Sequence, residues 1–294
     1  MLKNKILTII VCLAMVSGIT GCSTSSNAKS DNKTEIVSVK NHKITIKAKE
    51  WSDDGKTLTD TTYKGKYTGK MKNKKPYGKG KFVSENSDNI KWTYKGEFKN
   101  GTFNGQGTTT WEKNKITKIS KIFGTYKDGA FTPTKAELLQ NENAYYQNTK
   151  ISGYHQFTMS DKGMDFFKNH QNYFPVDMNN PPEDYASNIA GSFDYPQASK
   201  NIDSFEDKLY QVQNLYVRQI YETYVCGQLV TEMLGVDTNS DIYYYYTILY
   251  FGSTNYVEGD TVNQIIFLPQ CEGTFDDTEG GTTWCMFIIA SEID

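Results

Sequence analysis

The sequence predicts a mainly β protein in two parts: a repetitive sheet of β-hairpins, then a small β-barrel with one or two short helices. Three observations carry this expectation. Tyr (21 residues) and Gly (23) are abundant, Thr is frequent and Leu and Ala are sparse, a composition that favours strands and tight turns over helices. A glycine-aromatic pattern recurs with a period of 27 and then 28 residues, from Gly69 to Gly96 to Gly124, and a fixed spacing of this size signals repeat architecture. The charge is split as well. Residues 23–135 hold 24 lysines against 11 acidic residues, a net +13, and residues 136–294 hold 6 basic against 23 acidic, a net −17, although the whole chain carries only −2. Such asymmetry marks two domains with different surfaces. The expected layout is a signal peptide over 1–21, a lipidated polar tether over 22–40, the hairpin domain over 41–131, a helical and looped connector over 132–185, and the barrel over 186–294.

The N-terminus has the form of a secretory signal. Lys3 and Lys5 precede the apolar run from Ile6 to Val16, which is too short to span a bilayer. It ends in Ile19-Thr20-Gly21-Cys22, which resembles the lipobox of bacterial lipoproteins: an aliphatic residue, two small ones, then cysteine. The resemblance implies cleavage before Cys22, lipidation of its thiol, and residence on the extracytoplasmic face of a Gram-positive cell membrane. Several acyl chains on one residue would attach the protein stably, at roughly 0.8 kcal/mol per buried CH₂. Ser23 to Asn27 form the start of the tether.

Within 41–131 the repeated unit explains itself physically. Ile44 to Ala48 alternates as a strand. One unit then runs Tyr67-Thr68-Gly69-Lys70-Met71-Lys72-Asn73 and Tyr77-Gly78-Lys79-Gly80-Lys81-Phe82. The next runs Tyr94-Lys95-Gly96-Glu97-Phe98-Lys99-Asn100-Gly101, then Asn104-Gly105-Gln106-Gly107, ending at Trp111. A third, incomplete unit runs Ile122-Phe123-Gly124-Thr125-Tyr126-Lys127-Asp128-Gly129. Tyr94, Gly96 and Phe98 alternate and so share one strand face. Asn100-Gly101 is a tight-turn signal because Gly accepts positive φ. Gly105 and Gly107 leave bare backbone on which neighbouring rings can lie.

This pattern resembles the MORN repeat, in which Tyr-x-Gly-x-aromatic leads through an Asn-Gly turn into Gly-x-Gly. The unit from Tyr94 to Trp111 matches closely. The first has Lys74 where glycine is usual and Met71 at the aromatic place, and the third has Ile122 in place of tyrosine. The match covers about 63–131, with insertions at Ser84–Ile90 and Asn114–Ser120 lengthening the period. MORN arrays are mostly interaction scaffolds, some with proposed lipid binding. The resemblance therefore implies packing roles for Tyr94, Phe98 and Trp111. The lysines Lys70, Lys72, Lys74, Lys75, Lys95 and Lys99 are the candidates for contact with anionic lipid or wall polymer.

The second half reads differently. Thr132-Pro133-Thr134 marks a boundary and a helical stretch follows over 135–147. Ser160 caps a second helix whose Met164, Phe167 and His170 recur at helical spacing until Phe174-Pro175. Strands are expected at about 208–221, 224–234, 241–251, 261–268 and 283–292. Tyr243 to Tyr246 and Ile265 to Leu268 are apolar enough for a core. Five such strands fit a small closed barrel. Tyr256-Val257-Glu258-Gly259-Asp260-Thr261-Val262, with the last strand from Phe287 to Ile293, resembles the OB-fold domains of Gram-positive secreted lipoproteins. Asp194-Tyr195 to Lys208 and Val217 to Ile220 fit the entry to the first strand of such domains. The resemblance implies a turn at Gly259-Asp260 and a bend at Asn214, where a glycine often stands. OB-folds that hold nucleic acid use cationic grooves; an acidic barrel repels phosphate, so no nucleic-acid partner is expected.

Chemistry is sparse. His42, His155 and His170 are scattered, no Cys-x-x-Cys occurs, and Asp237 to Asp241 lacks the glycine and closing glutamate of a calcium loop. No metal, cofactor or catalytic residue is expected. Cys271 and Cys285 bracket a Gly- and Asp-rich turn and could pair as a disulfide in an extracytoplasmic setting, which would leave Cys226 a buried thiol. The favoured reading is a membrane-anchored binding or scaffold module, not an enzyme. Its basic sheet would lie near an anionic surface and its acidic barrel would serve an unidentified protein partner. The alternative is a cell-wall hydrolase using carboxylates that only folding brings together.

Overall fold

The computed structural model describes residues 35–87, 89–112, 121–148, 159–238, 242–276 and 281–294. The signal segment, Cys22, most of the tether, the insertion after Lys113, His155 and the Asp277–Glu279 turn lie outside those residues. The chain forms two compact units that part between Thr134 and Lys135.

The first unit is a seven-stranded antiparallel meander in sequence order: β1 (Ile36–Trp51), β2 (Leu58–Lys72), β3 (Lys75–Glu85), β4 (Lys91–Lys99), β5 (Thr102–Trp111), β6 (Lys121–Lys127) and β7 (Ala130–Phe131). It is a curled sheet of hairpins. Trp51 Nε1 donates to the Phe131 carbonyl at 2.7 Å, and Thr102 Oγ1 to the Lys47 carbonyl at 2.6 Å. These bonds tie β1 to β7 and to β5.

Glycine sets this curl. Gly69 pairs with Gly80, Gly80 with Gly96, Gly96 with Gly107, and Gly107 with Gly124, so one rung of five strands carries no side chain at all. Two tyrosine rings lie on that rung. A Cβ on Gly80 would come within 2.6 Å of Tyr67, and one on Gly107 within 2.4 Å of Tyr94. The Tyr67 hydroxyl donates to Lys70 O at 2.8 Å and the Tyr94 hydroxyl to Glu97 O at 2.9 Å, so each buried phenol is satisfied. Phe98 links the two rings, with centroids 5.0 Å from Tyr67 and 5.2 Å from Tyr94, both edge-on. The other glycine of each Gly-x-Gly has a separate task. Gly78 (φ 67°) and Gly105 (φ 74°) take left-handed backbone where the strand register shifts. The hairpin turns also require positive φ at two successive residues: Asn73 and Lys74, Asn100 and Gly101, Asp128 and Gly129. Asn and Gly suit this, and Lys74 at φ 62° does so at a cost.

The second unit holds a five-stranded barrel: β9 (Leu209–Val225), β10 (Gln228–Asp237), β11 (Tyr244–Tyr250), β12 (Thr261–Asp276) and β13 (Thr282–Ile293), with a short β8 (Ile189–Ser192) added to the outside of β9. The order β9-β10-β11-β13-β12 closes because β9 pairs with both β10 and β12, and β11 runs parallel to β13. The five strands thus form a small closed barrel, as expected. Asn214 supplies the bend, taking φ 56° without a glycine, as its short polar side chain permits. Leu215, Val217, Tyr246, Ile248, Val262, Ile265, Phe267 and Ile288 fill the interior. Gly259 (φ 98°) makes the turn into β12, where Val257 N–H donates to Asp260 Oδ2 at 2.8 Å.

Two expectations need correction. The tyrosine run is not all core: Tyr246 is 1% exposed but Tyr243 is 63% exposed, because β11 begins only at Tyr244. The expected connector over 132–185 is not a separate piece: up to Thr134 it belongs to the hairpin unit and from Lys135 to the barrel unit. Its helices α1 (Lys135–Asn148) and α2 (Asp161–Asn169) are joined by a third, α3 (Tyr195–Lys200), ahead of β9. Phe167 stacks on Phe174 and meets Phe251. Ser291 of β13 donates to Tyr173 O and bonds the Tyr185 hydroxyl. That aromatic surface cannot stay in water, so the segment docks on the barrel.

The glycine rung predicts that Gly107→Ala lowers stability by about 2 kcal/mol, since overpacking against a buried ring costs 1–3 kcal/mol. Conversely, Lys74→Gly should raise it by about 1 kcal/mol by relieving left-handed strain. Urea denaturation of the two variants checks both signs.

Candidate functional site

Strand alternation sorts the first unit into two faces. Tyr67, Phe82, Trp92, Tyr94, Phe98 and Phe103 point to the buried side. The opposite positions carry Lys43, Lys47 and Lys49 of β1, Lys64, Lys66 and Lys70 of β2, Lys75, Lys79 and Lys81 of β3, and Lys91, Lys95 and Lys99 of β4, all exposed. Three lysine pairs stand directly opposite each other across strands: Lys43 with Lys66, Lys72 with Lys75, and Lys81 with Lys95. Like charges in that position destabilise a sheet. No ion pair within the described residues involves Lys43, Lys66, Lys81 or Lys95. Three opposite-charge pairs stand on the same face, Lys49 with Asp60, Lys79 with Glu97 and Lys91 with Glu85, so the face is positive in net charge, with the uncompensated charge concentrated at the three lysine pairs.

The candidates Lys70, Lys95 and Lys99 belong to this face, and Lys72, Lys74 and Lys75 cluster at the β2–β3 turn. Lys72 lies over the exposed ring of Tyr77, 5.4 Å from its centroid. Lys43, Lys64, Lys66, Lys79 and Lys81 were not singled out from the sequence; period-2 alternation outside the motif glycines is the signal that finds them. The motif residues Tyr67, Tyr94 and Phe98 are buried packing groups, and Trp111 pairs with Trp92 across β4 and β5.

In the second unit folding gathers acids that the sequence leaves apart. Glu232 on β10 is 6% exposed, and its Oε2 accepts from the Tyr221 hydroxyl while Oε1 has no hydrogen-bond partner. Burial pushes its carboxyl pKa up to about 7. Glu142 of α1 is also raised, by burial and then by the charge of Glu232. Glu232 is enclosed while Glu142 is partly exposed, and no group of three or more His, Cys, Asp or Glu that could hold a metal occurs among the described residues. His170 is a packed residue, its Nδ1 2.8 Å from the Phe166 carbonyl.

The disulfide expectation fails on register. Cys285 sits opposite Gly273 and Cys271 opposite Phe287, and both are thiols. Diagonal neighbours stand roughly 7–8 Å apart, beyond the reach of a disulfide. They are packed instead with Phe287 and Tyr245, and burial raises the Cys285 thiol to about 11. Cys226 is a buried thiol as expected, in the β9–β10 turn with φ 48°.

Comparison of the chain with protein-family models, with curated proteins and with solved structures finds no match. No described helix is long and apolar enough to cross a membrane.

Because Glu232 holds its proton more tightly folded than unfolded, the folded state binds more protons between the ordinary value of 4.5 and about 7. Stability should be greatest below pH 4.5 with respect to this group and fall across that window, by up to about 1.4 kcal/mol per pH unit. Glu232→Gln should flatten that part of the profile, measured by thermal unfolding from pH 4 to 8.

Proposed function

We propose that the protein is an extracytoplasmic lipoprotein, anchored at Cys22, whose lysine face docks on an anionic surface of lipid or wall polymer. The observation that supports this most directly is the set of cross-strand lysine pairs. A sheet selected for stability alone would alternate charge sign at those sites. A basic surface near an anionic one gains roughly 1 kcal/mol per lysine. The glycine-aromatic ladder that supports the face agrees with the MORN resemblance and its scaffold role. An anchor at Cys22 would also hold the sheet close, because the chain from Cys22 to Glu35 spans at most about 45 Å, which raises its effective concentration at the surface. The acidic barrel unit is then the part left to engage a protein partner. We retain a hydrolase as the second reading because the charges of Glu142 and Glu232 interact, though the burial of Glu232 disfavours it.

Lys81→Glu separates function from folding. It should stabilise the sheet by a few tenths of a kcal/mol by pairing with Lys95, yet weaken sedimentation of the unlipidated chain (residues 23–294) with anionic vesicles. The double change Lys81→Glu and Lys95→Glu should cost roughly 30-fold in binding. Binding of the parent chain that persists at high salt, or that is equal on neutral vesicles and uncharged glycan, would sink the electrostatic reading. Independently, Cys22→Ser should move the protein from the membrane fraction to the soluble one and abolish palmitate labelling.

A further inference from the structure

One cavity in the second unit has a feature that neither the basic face nor the carboxyl pair explains. It has a volume of about 600 Å³ and lies between the start of α2, the segment from α3 to Glu206, and β12. Gln270 lines it. This residue is 0% exposed, and neither its amide nitrogen nor its amide oxygen has a hydrogen-bond partner. Leaving a buried donor or acceptor unpaired costs about 1–3 kcal/mol, and an apolar residue of the same shape would avoid that cost. The backbone there is also irregular. Pro269 pairs with Ile288 and Cys271 with Phe287, so Gln270 is the extra residue of a β-bulge with no partner on β13. Bulges re-aim a side chain and recur beside binding sites.

The rest of the lining limits what could satisfy that amide. Four carboxylates, Asp161, Asp203, Glu206 and Glu272, face a single lining cation, Lys200. Glu206 is 1% exposed and its Oε2 accepts from Ser160 Oγ, the hydroxyl that also caps α2 by accepting from Gly163 N–H at 3.1 Å. Lys162, in the first turn of α2, is spent on Asp207 at 3.0 Å and on the Asp203 carbonyl at 2.9 Å. The pocket therefore favours positive charge, and Gln270 presents one donor group and one acceptor to a partner with the reverse arrangement. A peptide group offers that arrangement, and a free peptide N-terminus places an ammonium one residue away. The volume falls within the range of small-molecule pockets, roughly 300–1,000 Å³.

We propose that this cavity is a binding site for a short peptide amine, with the ammonium held by the Glu206–Glu272 side and the adjacent peptide group paired with the Gln270 amide. The test is isothermal titration of the unlipidated chain (residues 23–294) at pH 7 with alanyl-alanine amide, N-acetyl-alanyl-alanine amide, which lacks the ammonium, and acetamide. Alanyl-alanine amide should bind, the acetylated probe at least tenfold more weakly, and acetamide not measurably. Gln270→Leu should reduce binding of the first probe at least tenfold while leaving the melting temperature unchanged or higher. Glu272→Gln, at the edge of the cavity, should weaken the preference for the ammonium with Gln270 intact. Absence of binding by alanyl-alanine amide at millimolar concentration overturns the proposal, as does equal binding of the acetylated probe. A lower melting temperature in Gln270→Leu overturns it too, since it would mean that the amide is satisfied within the fold, by protein or by trapped water.

Discussion

The first unit depends on one contact: a tyrosine ring lying on the bare backbone of a glycine in the neighbouring strand. Tyr67 covers Gly69 and Gly80, and Tyr94 covers Gly96 and Gly107. A side chain on any of these glycines would lift the ring, separate Tyr67 from Phe98 and Phe98 from Tyr94, and flatten the curve that brings β1 to β7. Cross-strand pairing usually works through side chains. Here one rung works through their absence, and the aromatic groups above it form a single connected row. The curl follows, and with it the separation of the sheet into a closed aromatic side and an open lysine side.

That separation gives the lysines their meaning. A lysine on a flexible tail and a lysine on a strand carry the same charge, but the second cannot move away from its neighbour. Lys81 opposite Lys95 and Lys43 opposite Lys66 hold like charges at fixed spacing on a support stiffened from behind by rings packed edge to face. The self-repulsion is a small loss of stability that an anionic surface would reverse. Tyr77, exposed among them beneath Lys72, adds an amphipathic ring suited to an interface.

The barrel unit solves a different problem. It closes through Asn214 and Gly259, seals its exterior with the aromatic groups of α2 and the segment behind it, and in doing so buries polar side chains that are not all satisfied. Glu232 keeps an unpaired oxygen and Gln270 an unpaired amide. Such groups cost stability in a low-dielectric interior. Where they border a cavity they mark a place a ligand could repay; where they are sealed, as at Glu232, they tie stability to pH instead.

Much of the fold was legible in the chain itself because it is written in local rules. Glycine spacing, Asn-Gly turns and period-2 alternation act over a few residues, so they determined the hairpins, the repeat and the strand list of the barrel. The charge split likewise announced two different surfaces. What tertiary structure decided are matters of register and proximity. Cys271 and Cys285 looked like partners across a hairpin, and the register that runs from the β12–β13 turn left each opposite a different residue. Tyr243 read as core and lies outside because β11 starts one residue later. Glu142 and Glu232 are 90 positions apart, and Gln270 and Glu206 line one cavity only because the chain after α3 passes β12. A one-residue shift in a strand moves a side chain to the other face, and that choice is made by the packing of the whole unit, not by the residues on either side.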